Sequence, residues 1–166
     1  MLLKGTAHKF GDDISTDLIT PGRYFHLRTN LPELAKHTLE DADPDFVKNL
    51  QTGDFVVAGE NFGLGSSREH AAIVIKLSGT GAVLAKSFAR IFFRNAINQG
   101  LPAVVCDTDK INAGDKLEVD VEKGEVRNLT TTKTIPAKSL PTAMMNILKD
   151  GGLVEHFRKN KGFKLV

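Results

Sequence analysis

The chain has 166 residues, 41% apolar and 25% charged, with a formal net charge of +2. These values suit one compact domain, read here as the whole chain, 1–166. They exclude several classes. No Lys/Arg run is dense enough to follow a phosphate backbone. Residues 1–10 lack the apolar stretch of a secretory leader, and nowhere do about 18 apolar residues follow one another to cross a bilayer. The single cysteine, Cys106, excludes an internal disulfide framework and fits a reducing compartment, so a cytoplasmic location is expected. One Cys and five scattered His cannot build a metal centre or iron–sulfur cluster within the chain, because such clusters are held by several thiolates. A metal used in its chemistry has to come from a partner.

In chain order, residues 1–10 predict a short strand. The polar, turn-rich loop 11–17 follows, and Thr20-Pro21-Gly22 makes a second break. Residues 31–50 predict helix in two pieces, with Pro32 and Pro44 near their starts and Asp43 as the cap of the second. Residues 54–58 predict a buried strand that runs into the glycine-bearing stretch 59–67. A helix over 68–77, apolar nearly all round, then ends at Gly79 and Gly81. A strand over 82–85, a helix over 88–99 with Gly100 after it, and a strand over 103–106 complete a strand–helix–strand–helix–strand run. That alternation implies parallel pairing with right-handed crossovers. Residues 116–129 alternate about a polar turn and predict a hairpin, and 134–137 predict one more short strand. A helix over 141–149 closes at Gly151-Gly152, and the basic stretch 158–164 reads as a solvated tail.

Gly63-Leu64-Gly65-Ser66-Ser67-Arg68 sits between a buried strand and a buried helix. A helix N-terminus exposes unpaired N–H groups and favours anions, glycines admit a ligand close to the backbone, and Arg68 offers a planar donor fork. A phosphate loop would need Gly-Lys-Ser/Thr here, and a dinucleotide fingerprint a third glycine at position 68; neither is present. A small carboxylate fits better. Taken alone, Ser66-x-x-Glu69 reads first as a capping box. The stretch has two serines where one cap suffices, so a second hydroxyl is left beside Arg68, where a serine oxygen can act as a base.

Asp17 lies in a loop that by itself reads as an Asx-type turn, and Arg28 by itself as a surface or paired arginine. His70 reads as a core histidine with one satisfied nitrogen. Asn95 and Asn98 share a helix face and are suited to holding the neighbouring loop or lining an interface. Cys106 reads as a small buried hydrophobe.

Three stretches carry a resemblance to a known family: 11–21, 60–71 and 87–101. In this order they resemble the swivelling domain of the aconitase superfamily, and within it the small subunits of the 3-isopropylmalate dehydratase family, over roughly residues 1–160. The resemblance implies an α/β fold of three β/β/α layers, a mostly parallel sheet flanked by helices. It implies a hydro-lyase active only with a large subunit that carries a [4Fe–4S] cluster, interconverting 2- and 3-isopropylmalate in leucine biosynthesis. This chain would bind no cofactor itself. Ser66 would be the general base. Ser67 and Arg68 would hold a substrate carboxylate. Asp17 would pair with a histidine of the large subunit, and Arg28 would bind the distal part of the substrate.

The stretch Tyr24-Phe25-His26-Leu27-Arg28-Thr29 is two residues longer than the Tyr-Leu-Arg-Thr of short members. It bears on the substrate side chain, so homoaconitate, dimethylmalate and citramalate- or methylmaleate-type substrates are the alternatives. An alternative of another class is a non-catalytic carboxylate-binding module.

Overall fold

The computed structural model describes residues 1–162. Among these, seven strands form one mixed sheet: β1 (Leu2–Lys9), β2 (Phe55–Val57), β3 (Ala82–Ala85), β4 (Ala103–Val105), β5 (Lys116–Asp120), β6 (Glu125–Asn128) and β7 (Lys133–Pro136). Their spatial order is β4-β3-β2-β1-β5-β6-β7. The strands from β1 to β4 pair in parallel, as the alternating elements predict. The other half, β5 to β7, pairs antiparallel and joins the sheet through β1. The hairpin therefore extends the sheet through β1.

The sheet curls until its ends meet. Cys106, just past β4, bridges Ala137, just past β7, and Lys138 N–H donates to the Val105 carbonyl at 2.9 Å. The curl creates two apolar interiors, sorted by the two-residue period of the strands. Val56, Val83 and Ala103 face the helices α2 (Leu31–Ala35), α4 (His70–Leu77) and α5 (Arg90–Asn98). Phe55, Val57, Leu84 and Val104 face inward, against Leu117, Val119, Val126 and Ile135 of the antiparallel half. This is the expected β/β/α layering, and it explains why β2 and β3 are buried on both faces.

Several local expectations change. Residues 31–50 hold only two short helices, α2 and α3 (Phe46–Asn49), because Leu39 at φ 57° turns the chain between them. Asp43 is not the helix cap. Its carboxylate accepts from Asp45 N–H at 3.0 Å, and Asp45 occupies the cap position. α4 begins at His70, two residues later than predicted, and exposes Leu77. The helix α6 (Thr142–Lys149) is not the last. Residues 153–160, which take in the first three residues of the stretch 158–164 expected as a solvated tail, form α7 (Leu153–Asn160). Buried His156 and Asn160 anchor α7 by bonding to Asp150 at 2.7 and 3.2 Å. Lys164 lies outside the described residues. Among those residues, no helix is long and apolar enough to cross a membrane.

Candidate active site

The strand β2 delivers the chain into residues 58–69 at the carboxyl end of the parallel half. Two neighbouring segments fix this loop by backbone bonds. Residues 11–16 supply one side: Gly63 N–H donates to the Ile14 carbonyl at 2.7 Å, Thr16 N–H to the Leu64 carbonyl at 2.8 Å, and Asp13 N–H to the Glu60 carbonyl at 2.8 Å. The stretch after β3 supplies the other: Asn61 N–H donates to Ser87 Oγ at 2.8 Å and Phe62 N–H to the Ser87 carbonyl at 3.1 Å. Two glycines are required. At Gly63 (φ +82°) a Cβ would lie 2.2 Å from the Phe92 ring, and at Gly65 (φ +113°) it would lie 2.9 Å from Thr16 Oγ1.

The short helix α1 (Thr16–Ile19), capped by Ser15, carries Thr16 and Asp17 to the same place. Ser66 N–H donates to Thr16 Oγ1 at 3.1 Å, and the Thr16 hydroxyl donates to Ser66 Oγ at 3.4 Å. Arg68 N–H donates to the same oxygen at 3.4 Å. Two donors thus point at Ser66 Oγ, an arrangement that favours negative charge there.

The capping box does not form. Glu69 turns away and accepts from Gln99 Nε2 at 2.6 Å, while among the described residues no side chain caps α4. Neither serine serves that helix, and both are exposed. Asp17 is also exposed, with one carboxylate oxygen 3.8 Å from Arg68 Nη2; so open an ion pair adds little stability and leaves the carboxylate accessible. Ser67 is placed through its backbone, since Asn95 Nδ2 donates to its carbonyl at 3.4 Å, one of the roles foreseen for the α5 asparagines.

Arg28 reaches the site by a different route. Residues 22–29 form a 3-10 segment beside the loop. The guanidinium carbons of Arg28 and Arg68 lie 4.9 and 4.7 Å from the centroid of the Phe25 ring. One aromatic ring carries both cations. Among the described residues Arg28 has no ion pair; its Nη1 donates to the Phe25 carbonyl at 3.4 Å. His70, expected in the core with one satisfied nitrogen, is half-buried at the start of α4. Its Nδ1 is buried without a partner among the described residues, and the ring packs edge-on to Phe25 at 6.2 Å.

All five expected residues, Asp17, Arg28, Ser66, Ser67 and Arg68, therefore converge on one open face. Thr16 and Phe25 went unrecognised in the sequence. The Ser-Thr-Asp run in loop 11–17 was a signal for the first, and the aromatic pair ahead of Arg28 a signal for the second. Cys106 is the buried hydrophobe expected, and burial pushes its thiol up to about 12. No group of three His, Cys, Asp or Glu side chains suited to a metal ion occurs among the described residues.

The aconitase C-terminal domain family matches residues 13–109, which hold every one of these side chains. A relative from Archaeoglobus fulgidus, described as 3-isopropylmalate dehydratase small subunit 2, is 60% identical over 99% of this chain and 100% of its own length. Another from Thermotoga maritima, described as 3-isopropylmalate dehydratase small subunit 1, is 56% identical over 99% of this chain and 100% of its own. A crystal structure of 3-isopropylmalate dehydratase from Methanocaldococcus jannaschii is similar to this chain with a TM-score of 0.93 and 50% identity, covering 97% of this chain and 96% of that one.

Proposed function

The chain belongs to the aconitase C-terminal domain family, and we propose that it works as the small subunit of a 3-isopropylmalate dehydratase, with Ser66 as the base of the reaction. The enzyme is a hydro-lyase that interconverts 2- and 3-isopropylmalate, by loss and return of water, for leucine synthesis. One observation carries the role of Ser66. Its oxygen receives two donors, from Thr16 and from the Arg68 backbone, and is not consumed as a helix cap.

The [4Fe–4S] cluster belongs to the large subunit. Cys106 is a single neutral thiol inside the sheet and does not fit as a cluster ligand. When bound there, the cluster supplies a Lewis-acidic iron that polarises the departing hydroxyl. This chain handles the rest of the substrate. Arg68 Nη groups and the Ser67 hydroxyl receive one carboxylate. Arg28, held on the Phe25 ring, receives the distal part. Asp17 remains exposed to orient a histidine of the large subunit.

Ser66 Oγ, as the alkoxide that the Thr16 and Arg68 donors favour and hold in position, takes the proton from the carbon beside the bound carboxylate and becomes the neutral hydroxyl. The electron pair left on carbon forms the double bond as the hydroxyl leaves. Return of water at the neighbouring carbon, with the proton coming back from Ser66, gives the isomer. The face is open in this chain alone, so water is excluded only when the large subunit covers it.

The test is anaerobic turnover by the two chains together, followed by absorbance of the unsaturated diacid. Ser66→Ala should abolish turnover with subunit association intact. Full activity in that variant would remove Ser66 from the role of base. Turnover of homoaconitate or a citramalate-type acid in place of isopropylmalate would reassign the substrate.

A further inference from the structure

A second concavity, of about 350 Å³, opens at the same carboxyl edge of the sheet. Phe88 and Phe93 form its floor, and Lys86, Arg90, Arg94 and Lys138 stand round its rim. Among the described residues, no carboxylate lines it. Lys86 is paired with Asp109 at 2.6 Å. Among the described residues, Arg90, Arg94 and Lys138 have no ion-pair partner, and all three are exposed. The cleft adjoins the substrate loop. Ser87 lines it and also accepts the Asn61 N–H that anchors residues 59–65.

We infer that this cleft is where an acidic segment of the large subunit docks, one apolar side chain on the phenylalanine floor and its carboxylates on Arg90, Arg94 and Lys138. The inference rests on the two-subunit reading above. Three features favour a protein segment over a small ligand. An apolar centre inside a charged rim is the anatomy of a protein interface. The three cations are long and exposed, with no ion pair or side-chain hydrogen bond among the described residues, whereas small-ligand sites hold their polar groups in place with supporting bonds. The position continues the open face that a second chain has to cover. Unneutralised cations on that edge also steer an acidic partner during encounter, with a strength that falls as salt rises.

The experiment measures binding of the full chain to the purified large subunit of the same organism, anaerobically, across a salt series. Wild-type affinity should fall with rising salt. Arg94→Glu with Lys138→Glu should weaken association by about tenfold or more, while turnover at saturating small subunit stays within about twofold of wild type. If the double variant fails to fold, Lys138→Glu alone carries the test, since that side chain is exposed. Association unchanged by the reversal would overturn the inference. So would calorimetry in which malate binds the free chain and the variant loses that binding while still associating normally; the cleft would then be a small-anion site. Association weakened as expected, but with no turnover of any hydroxy diacid, would leave the docking surface standing and sink the catalytic reading instead.

Discussion

Thr16 and Ser66 lie 50 residues apart in sequence and grip each other by two bonds, Ser66 N–H to Thr16 Oγ1 at 3.1 Å and Thr16 hydroxyl to Ser66 Oγ at 3.4 Å. The pair joins the first polar loop to the second. It sets where the serine oxygen stands relative to Arg68.

Thr16→Val keeps the shape of the side chain and removes both bonds. Each such bond contributes about 1 kcal/mol net. The expected result is a kcat lower by about tenfold or more, with KM little changed and the fold retained. Steady-state kinetics of the reconstituted enzyme, beside a thermal melt of the single chain, checks this. A kcat equal to wild type would show that the pair is only structural.

Arg68→Lys retains the charge but loses the planar fork and its packing on Phe25. KM should rise by about tenfold or more. An unchanged KM would remove Arg68 from substrate binding.

Phe25 supports two guanidinium groups at once. Phe25→Leu takes the platform from both, each worth about 0.5–1 kcal/mol at an exposed position. KM should rise by about fivefold to thirtyfold, and Phe25→Tyr should restore it. Equal KM values in the Leu and Tyr variants would show that the ring acts only by filling space.

Gly63→Ala places a methyl 2.2 Å from the Phe92 ring at a φ of +82°. The clash and the unfavourable dihedral together should destabilise the chain by about 2–4 kcal/mol. Chemical denaturation measures it. A loss below about 0.5 kcal/mol would mean that the loop relaxes freely.

Cys106 should resist thiol reagents at about pH 8 in the native chain, because its burial holds the thiol near 12 and only the thiolate reacts. Denaturant should release the reaction in full. Fast labelling of the native chain, counted by mass spectrometry, would contradict this.

Much was legible in the sequence because it depends on neighbours along the chain. The alternation of apolar runs and glycine-rich breaks is local, so the strands from β1 to β4 and the helices α4 and α5 read correctly to within about two residues. The motif Gly-Leu-Gly-Ser-Ser-Arg was legible for the same reason, and with it Ser66, Ser67 and Arg68. Contacts between distant segments were not. Nothing local says that Glu69 will bond Gln99 and leave the capping box unmade, or that Thr16 will meet Ser66. The stacking of Arg28 and Arg68 on one ring depends on where the 3-10 segment lands against the loop. The closure of the sheet, with Cys106 against Ala137, follows from strand twist accumulated across seven strands. The sequence by itself determined which groups are available and what chemistry they suit. Only the tertiary structure decided which of them meet, because side-chain bonds and stacking need matched positions that period and propensity do not encode.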